Sequence, residues 1–306
     1  MKNETTLYLK YRPQTLVEII GNETVVDAVT DMLSDKKTCP HSFLLTGGTG
    51  CGKTTLGRIL AKELGVSEVD FKEVDSADFR GIDTVREIRK SSQYKPLEGT
   101  CRVWLIDECH KMTGDAQSAF LKALEDTPSH VYFILCTTDP QKLLPTIRGR
   151  CTIFNMEPLS DTYMMTLLRQ VVRAEGENIS KQIYEQIMQD AQGHPRNALQ
   201  ILDQVLRVAV DKRLETAQRT AEEQSQVIEL CRALLSKGGW TKIRTILTGL
   251  KMQDPESIRR AILGYCQAVL LKSDNRQAGL IMEEFIEPFY NTGFPGLVFA
   301  CYSCTQ

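Results

Sequence analysis

Gly47-Gly48-Thr49-Gly50-Cys51-Gly52-Lys53-Thr54 decides how this chain is read. It fits G-x-x-x-x-G-K-[ST], with an apolar run at 42–46 before it and an amphipathic stretch at 53–64, stopped by Gly65, after it. Strand, glycine-rich turn and helix in that order form a phosphate cradle. The glycines let backbone N–H groups turn inward, and the helix N-terminus adds its dipole. Lys53 is placed to reach β- and γ-phosphates and Thr54 to hold Mg2+. Together with Thr55 these residues are the candidate nucleotide site.

Working outward, the apolar run 101–106 ends in Asp107-Glu108. Acids at the C-terminal edge of a parallel strand lie where such sheets bind ligands. Asp107 is expected to fix magnesium through water, and Glu108 to orient and polarise the attacking water. A guanine-reading N-K-x-D is absent, which favours ATP hydrolysis over GTP chemistry.

Runs at 42–46, 71–74, 101–106 and 131–136 read as buried strands, with 152–155 a weaker fifth. Helical patterns at 53–64, 82–90 and 115–125 lie between them. Such alternation predicts an α/β fold, a parallel sheet flanked by helices. Beyond residue 159 only 3.6-residue periodicity remains, at 162–173, 181–191, 195–210, 222–236, 240–250, 256–271 and 277–290. The expected organisation is an α/β domain over 1–160, a small helical domain over 161–215 and an all-α domain over 216–306.

The chain has 306 residues, 42% hydrophobic and 25% charged. With 37 Lys plus Arg against 39 Asp plus Glu, its net charge of -2 excludes a protein that binds nucleic acid over its whole surface. Any DNA contact must be local. No apolar run approaches the ~18 residues that span a bilayer, and residues 1–5 do not resemble a signal peptide, so a cytoplasmic protein is expected. The 10 cysteines are scattered, several (Cys101, Cys136, Cys231 and Cys266) inside apolar runs, and read as reduced core thiols. Cys301-x-x-Cys304 has no matching second pair; it reads as a buried helical face, and no structural zinc is expected.

Further motifs carry a family resemblance. Leu9-Lys10-Tyr11-Arg12-Pro13-Gln14-Thr15 and Ile20-Gly21-Asn22-Glu23 resemble the N-terminal entry of AAA+ clamp-loader ATPases. Asp107-Glu108-Cys109-His110 resembles their D-E-x-x box. Cys136-Thr137-Thr138-Asp139-Pro140-Gln141-Lys142-Leu143 and Arg148-Gly149-Arg150-Cys151 are similar to the bacterial DNA polymerase III gamma/tau family, as is Gly193-His194-Pro195-Arg196-Asn197-Ala198-Leu199. The resemblance implies a P-loop AAA+ domain followed by a helical lid and a collar. It also implies roles: Thr138 as the sensor that positions water against the γ-phosphate, Arg150 as a finger reaching the neighbouring subunit's site, Arg196 as a second sensor, and Arg12 in the nucleotide pocket. Arg196 suits this chemically, because an arginine at a helix start is disfavoured by the dipole unless an anion sits there. Arg80, Arg86, Arg89 and Lys90 are the candidate DNA-facing cluster.

The implied partners are other clamp-loader subunits in a ring or spiral, a sliding clamp and primer–template DNA, with no membrane. Gly149 stands where the family has the serine of its S-R-C motif. The family's four-cysteine zinc module would fall between Lys62 and Phe71, where this chain has Glu63-Leu64-Gly65-Val66-Ser67-Glu68-Val69-Asp70. In compactness it is closer to the small subunits of replication factor C or phage loaders. Two other functions stay open here: a structural loader subunit with weak ATPase, and a different AAA+ DNA-processing machine.

Overall fold

The computed structural model describes residues 6–35, 39–75, 81–236, 239–251, 253–271, 274–289 and 292–305, with only the backbone of 75, 218–225 and 268. The chain divides into two compact units, Met1–Ala209 and Val210–Gln306.

The first unit is built on five parallel strands, β1 (Ser42–Gly47), β2 (Phe71–Asp75), β3 (Arg102–Asp107), β4 (Val131–Thr137) and β5 (Thr152–Met156), in the order β2-β3-β4-β1-β5. Strands β1 and β4 are almost wholly buried, so they read as continuous apolar runs rather than alternating ones. Alternation survives in what each face packs against. Phe43, Leu45, Val103, Leu105 and Ile134 meet Leu56, Leu60 and Leu64 of the helix region after the glycine-rich turn. Leu44, Ile106, Phe133 and Leu135 meet Val85, Ile88, Ala116 and Phe120 on the opposite side.

The helices of this unit are α1 (Leu7–Lys10), α2 (Glu23–Ser34), α3 (Lys53–Glu63), α4 (Ile82–Ser92), α5 (Gly114–Glu125), α6 (Pro145–Arg148), α7 (Asp161–Ala174), α8 (Lys181–Ala191) and α9 (Pro195–Arg207). Helix α5 starts on a proper cap, Thr113 accepting from the Ala116 N–H at 3.2 Å. Helices α1 and α2 were not expected from periodicity; α2 buries only Val29 completely, so its apolar signal is thin. Asp70 lies in the stretch between Lys62 and Phe71 and is completely buried. Burial alone would raise its carboxyl pKa. Hydrogen bonds from the N–H groups of Glu98, Leu97 and Gly99 and from the Ser67 hydroxyl instead hold it well below the usual range.

The second unit contains α10 (Arg213–Leu235), α11 (Trp240–Gly249), α12 (Pro255–Leu270), α13 (Arg276–Phe285) and α14 (Gly293–Ser303) around one apolar core. Helix α10 begins well before the expected 222, and α13 ends before the expected 290. The helix α14 carries the helical face expected at Cys301-x-x-Cys304 and starts earlier, at Gly293. Pro295 sits in its first turns, where a missing N–H costs nothing. Leu297, Ala300 and Cys301 of α14 enter the unit's own core, and Cys304 packs partly against it. Glu256 and Arg259 are buried together: Arg259 donates to Glu256 and to the carbonyls of Phe285 and Ile286, clasping α12 to the end of α13.

Candidate nucleotide site

The phosphate-loop glycines are required sterically. Gly47 has φ 137°, and a Cβ there would lie 2.1 Å from the carbonyl oxygen of Met156, its register partner on β5. Gly52 at φ 98° turns the chain into α3. Lys53 is buried, and its Nζ donates to the carbonyls of Gly47 at 2.9 Å and Gly48 at 2.7 Å. The ammonium is thus held inside the loop where phosphate oxygens would replace those carbonyls.

Thr54 Oγ1 donates to Asp107 Oδ2 at 2.7 Å, joining α3 to the end of β3. A hydroxyl and a carboxylate at that separation are both hard oxygen donors, a set that fits magnesium beside a phosphate chain. Glu108 follows in the left-handed region, φ 51°, with its N–H on Asp107 Oδ1 at 2.9 Å. A non-glycine residue held there stores strain of ~1–3 kcal/mol, a feature that gathers at functional sites.

Thr49, Gly50, Gly52, Lys53, Thr54, Thr55, Asp107, Glu108 and Arg196 line one cleft. An adjoining cleft shares Gly50, Gly52, Thr55 and Arg196 and adds Cys51, Arg12 and an apolar wall that includes Tyr8, Ile19 and Leu199. One end is polar and narrow, the other apolar and flanked by aromatics, as a nucleotide demands. Arg12 loses proton affinity first through burial and then through the charges of Arg58 and Arg196. These cations repel one another, and an anion between them would relieve that repulsion. Gly48 packs near His194, whose Nδ1 lies 3.5 Å from Cys51 Sγ; burial pushes that thiol's pKa up.

The family model described as DNA polymerase III, delta subunit, matches residues 66–160. The chain is 35% identical over 228 residues to the DNA polymerase III subunit gamma/tau of Mycobacterium tuberculosis (strain ATCC 25618 / H37Rv), covering 67% of this chain and 39% of that one. Against the tau subunit of Bacillus subtilis (strain 168) it is 29% identical over 290 residues, 87% of this chain and 51% of the relative. The chain is a relative of the gamma/tau subunits. It spans from about two fifths to half of their length. Among solved structures, the Thermotoga maritima RuvB Holliday junction branch migration motor superposes with a TM-score of 0.60 at 20% identity, covering 79% of this chain and 87% of that one. That likeness shows the fold alone, and the relatives named DNA polymerase III gamma/tau support the kinship read from the motifs.

Of the remaining candidate residues, none of the described ones lines either cleft. Thr138 directly follows β4, half-buried, at the same sheet edge as Asp107. Arg150 donates to the Thr146 carbonyl at 3.0 Å and forms a close ion pair with Glu125 at the end of α5. On α4, Arg86 pairs with Asp83 at 2.9 Å, Lys90 is exposed and Arg89 is half-buried. Arg80 lies outside the described residues.

Sequence reasoning missed Tyr8 in the apolar cleft, and it missed His110, Glu125 and His194 as neighbours of site residues. His110 and His194 lie inside quoted motifs and Tyr8 directly precedes one, whereas Glu125 carried no signal. Burial lowers the pKa of the His110 imidazole, against the raising influence of Glu108. Among the described residues no group of three or more His, Cys, Asp or Glu is arranged to hold a metal ion, and no helix is long and apolar enough to cross a membrane.

Proposed function

We propose that this chain is an ATP-hydrolysing subunit of a sliding-clamp loader, acting at primer–template junctions in the bacterial cytoplasm or that of a phage-infected cell. The observation that carries the ATPase reading is the Thr54–Asp107 hydrogen bond, which joins phosphate loop and acidic strand end in one cleft with Glu108 and Arg196. Clamp loading is supported by the kinship with gamma/tau subunits.

In this reading Gly47–Thr55 and Arg12 bind ATP, Lys53 neutralises β- and γ-phosphate charge, and Thr54 and Asp107 hold Mg2+. Magnesium supplies charge neutralisation between the phosphate oxygens. Glu108 orients the attacking water, and Thr138 senses the γ-phosphate. Arg196 contacts phosphate from α9. Arg150 leaves Glu125 and reaches the neighbouring subunit's site, as trans-acting fingers do. Arg80, Arg86 and Lys90 track DNA phosphates, a few contacts per subunit being enough when repeated around a ring. The working division is 1–160 for ATP binding, 161–215 for the lid and 216–306 for the collar that joins other loader subunits.

The test is ATP-dependent retention of a cognate clamp on primed circular DNA by the assembled loader containing this chain. Retention that needs ATP and is lost with Lys53→Ala supports the reading. Clamp retention indifferent to this chain would favour another AAA+ DNA-processing role.

A further inference from the structure

Three polar groups outside the nucleotide clefts form a chain between the ends of β3 and β4. Backbone N–H of Asp139 donates to Thr137 Oγ1 at 3.0 Å. The same oxygen lies 3.0 Å from His110 Nδ1, and His110 Nε2 lies 3.5 Å from Glu108 Oε2. Thr137 is completely buried and the His110 side chain is 11% exposed, so neither partner is easily replaced by water.

Donor and acceptor roles follow from chemistry. A carboxylate only accepts, so a neutral His110 facing Glu108 must carry its proton on Nε2. Its Nδ1 is then an acceptor, and the Thr137 hydroxyl must donate to it. That hydroxyl oxygen still accepts from Asp139, so each bond has one donor and one acceptor. The 3.5 Å separation is long for a hydrogen bond, and such contacts at reacting groups commonly tighten once substrate is bound. Lys111 Nζ, 3.8 Å from the same Glu108 oxygen, is the competing neighbour, but its side chain is 46% exposed.

We propose that His110 is a positioning residue for Glu108, holding the carboxylate in register with the end of β4, where Thr138 sits. The inference rests on the ATPase reading, with Glu108 as the group that orients water. It touches neither nucleotide nor metal, so its loss should lower turnover and leave nucleotide affinity unchanged.

Two near-isosteres separate positioning from packing. Glutamine at 110 keeps a donor near the Nε2 position and loses the Thr137 contact; asparagine keeps the Nδ1-side contact and cannot reach Glu108. In the assembled loader with primed DNA and clamp, His110→Asn and His110→Ala should lower kcat ~10- to 100-fold, the range seen when an orienting partner is removed. KM for ATP should stay within about twofold, and His110→Gln should retain most of the rate. Proton–nitrogen correlation spectra of the four histidine side chains, assigned through His110→Gln, should show His110 protonated on Nε2. Thr137→Val should perturb that signal. A full-length variant that loses nucleotide affinity along with rate has lost its fold, and the spectrum of the unsubstituted protein then decides alone. Equal rates for the asparagine variant and the unsubstituted protein, or an Nδ1-protonated His110, would overturn the inference. No turnover in the unsubstituted assembly would instead overturn the ATPase reading beneath it.

Discussion

Thr54 Oγ1 and Asp107 Oδ2 are hydrogen-bonded at 2.7 Å across the gap between the phosphate loop and the end of β3. Neither residue is near the other in sequence, and the parallel sheet alone brings them together. Thr54→Ala removes one oxygen of the expected magnesium set and leaves Lys53 in place. It should weaken ATP binding measured with magnesium much more than binding measured in EDTA. Lys53→Ala, which leaves phosphate charge uncompensated, should abolish both. Titrations with a fluorescent ATP analogue check this; equal losses with and without magnesium for Thr54→Ala would remove the metal role.

Glu108→Gln preserves the size of the side chain and removes its charge. ATP should bind with near-normal affinity and turn over at least ~100-fold more slowly, the usual scale for a general-base contribution. Rapid-quench single turnover reads this directly. A rate within a few fold of normal would put the water-orienting group elsewhere.

Arg150 is engaged with Glu125 and the Thr146 carbonyl of its own subunit. A trans role therefore requires an exchange of partners on assembly. Arg150→Ala should leave ATP binding by isolated subunits intact and lower hydrolysis in the assembly ~10-fold or more, below the largest finger effects because Lys53 and Arg196 remain. Mixing Arg150→Ala with Glu108→Gln subunits should restore turnover wherever an intact Glu108 site faces an intact Arg150. If no mixing ratio recovers activity in confirmed assemblies, the arginine does not act across the interface.

Glu256 gives the second unit a defined acid response. Its hydrogen bonds from Arg259 outweigh the cost of burial and hold it at about 2, against an ordinary 4.5. The unfolded chain takes up this proton near 4.5 while the folded one resists until about 2. The pair's contribution is thus fully present above that ordinary value and is lost as pH falls through the window. Thermal melts of the full chain from about pH 6 to about pH 3 should show a shallower acid slope for Glu256→Gln. Arg259→Ala, leaving the buried carboxylate only the Phe289 N–H at 3.1 Å and the exposed Arg260 at 3.5 Å, should cost up to about 3–5 kcal/mol at neutral pH. Identical acid slopes would show that the pair does not report on stability.

The sheet was legible because β1, β3 and β4 are buried along most of their length and so stand out as apolar runs between turn residues. All five appear in the structure within a residue or two of the expected ends. The start of α10 was not legible, since 213–221 is polar and lacks apolar periodicity. At α14 only the Cys301-x-x-Cys304 end was read as helical; Gly293, Pro295 and Gly296 obscured its first turns, where a missing N–H costs little. The site divides along the same line. Gly47–Thr54 and Asp107-Glu108 are contiguous motifs and could be read directly. Glu125 beside Arg150, and His110 beside Thr137, are neighbours only after the chain folds, and no spacing announces them.

The most direct measurement is the steady-state rate of ATP hydrolysis by the assembled loader, with and without primed DNA and the cognate clamp. Hydrolysis should be slow alone, rise at least several-fold when both are present, and vanish in both conditions with Lys53→Ala. A rate that ignores DNA and clamp, or that survives Lys53→Ala, would contradict the reading of this chain as an ATP-driven clamp-loader subunit.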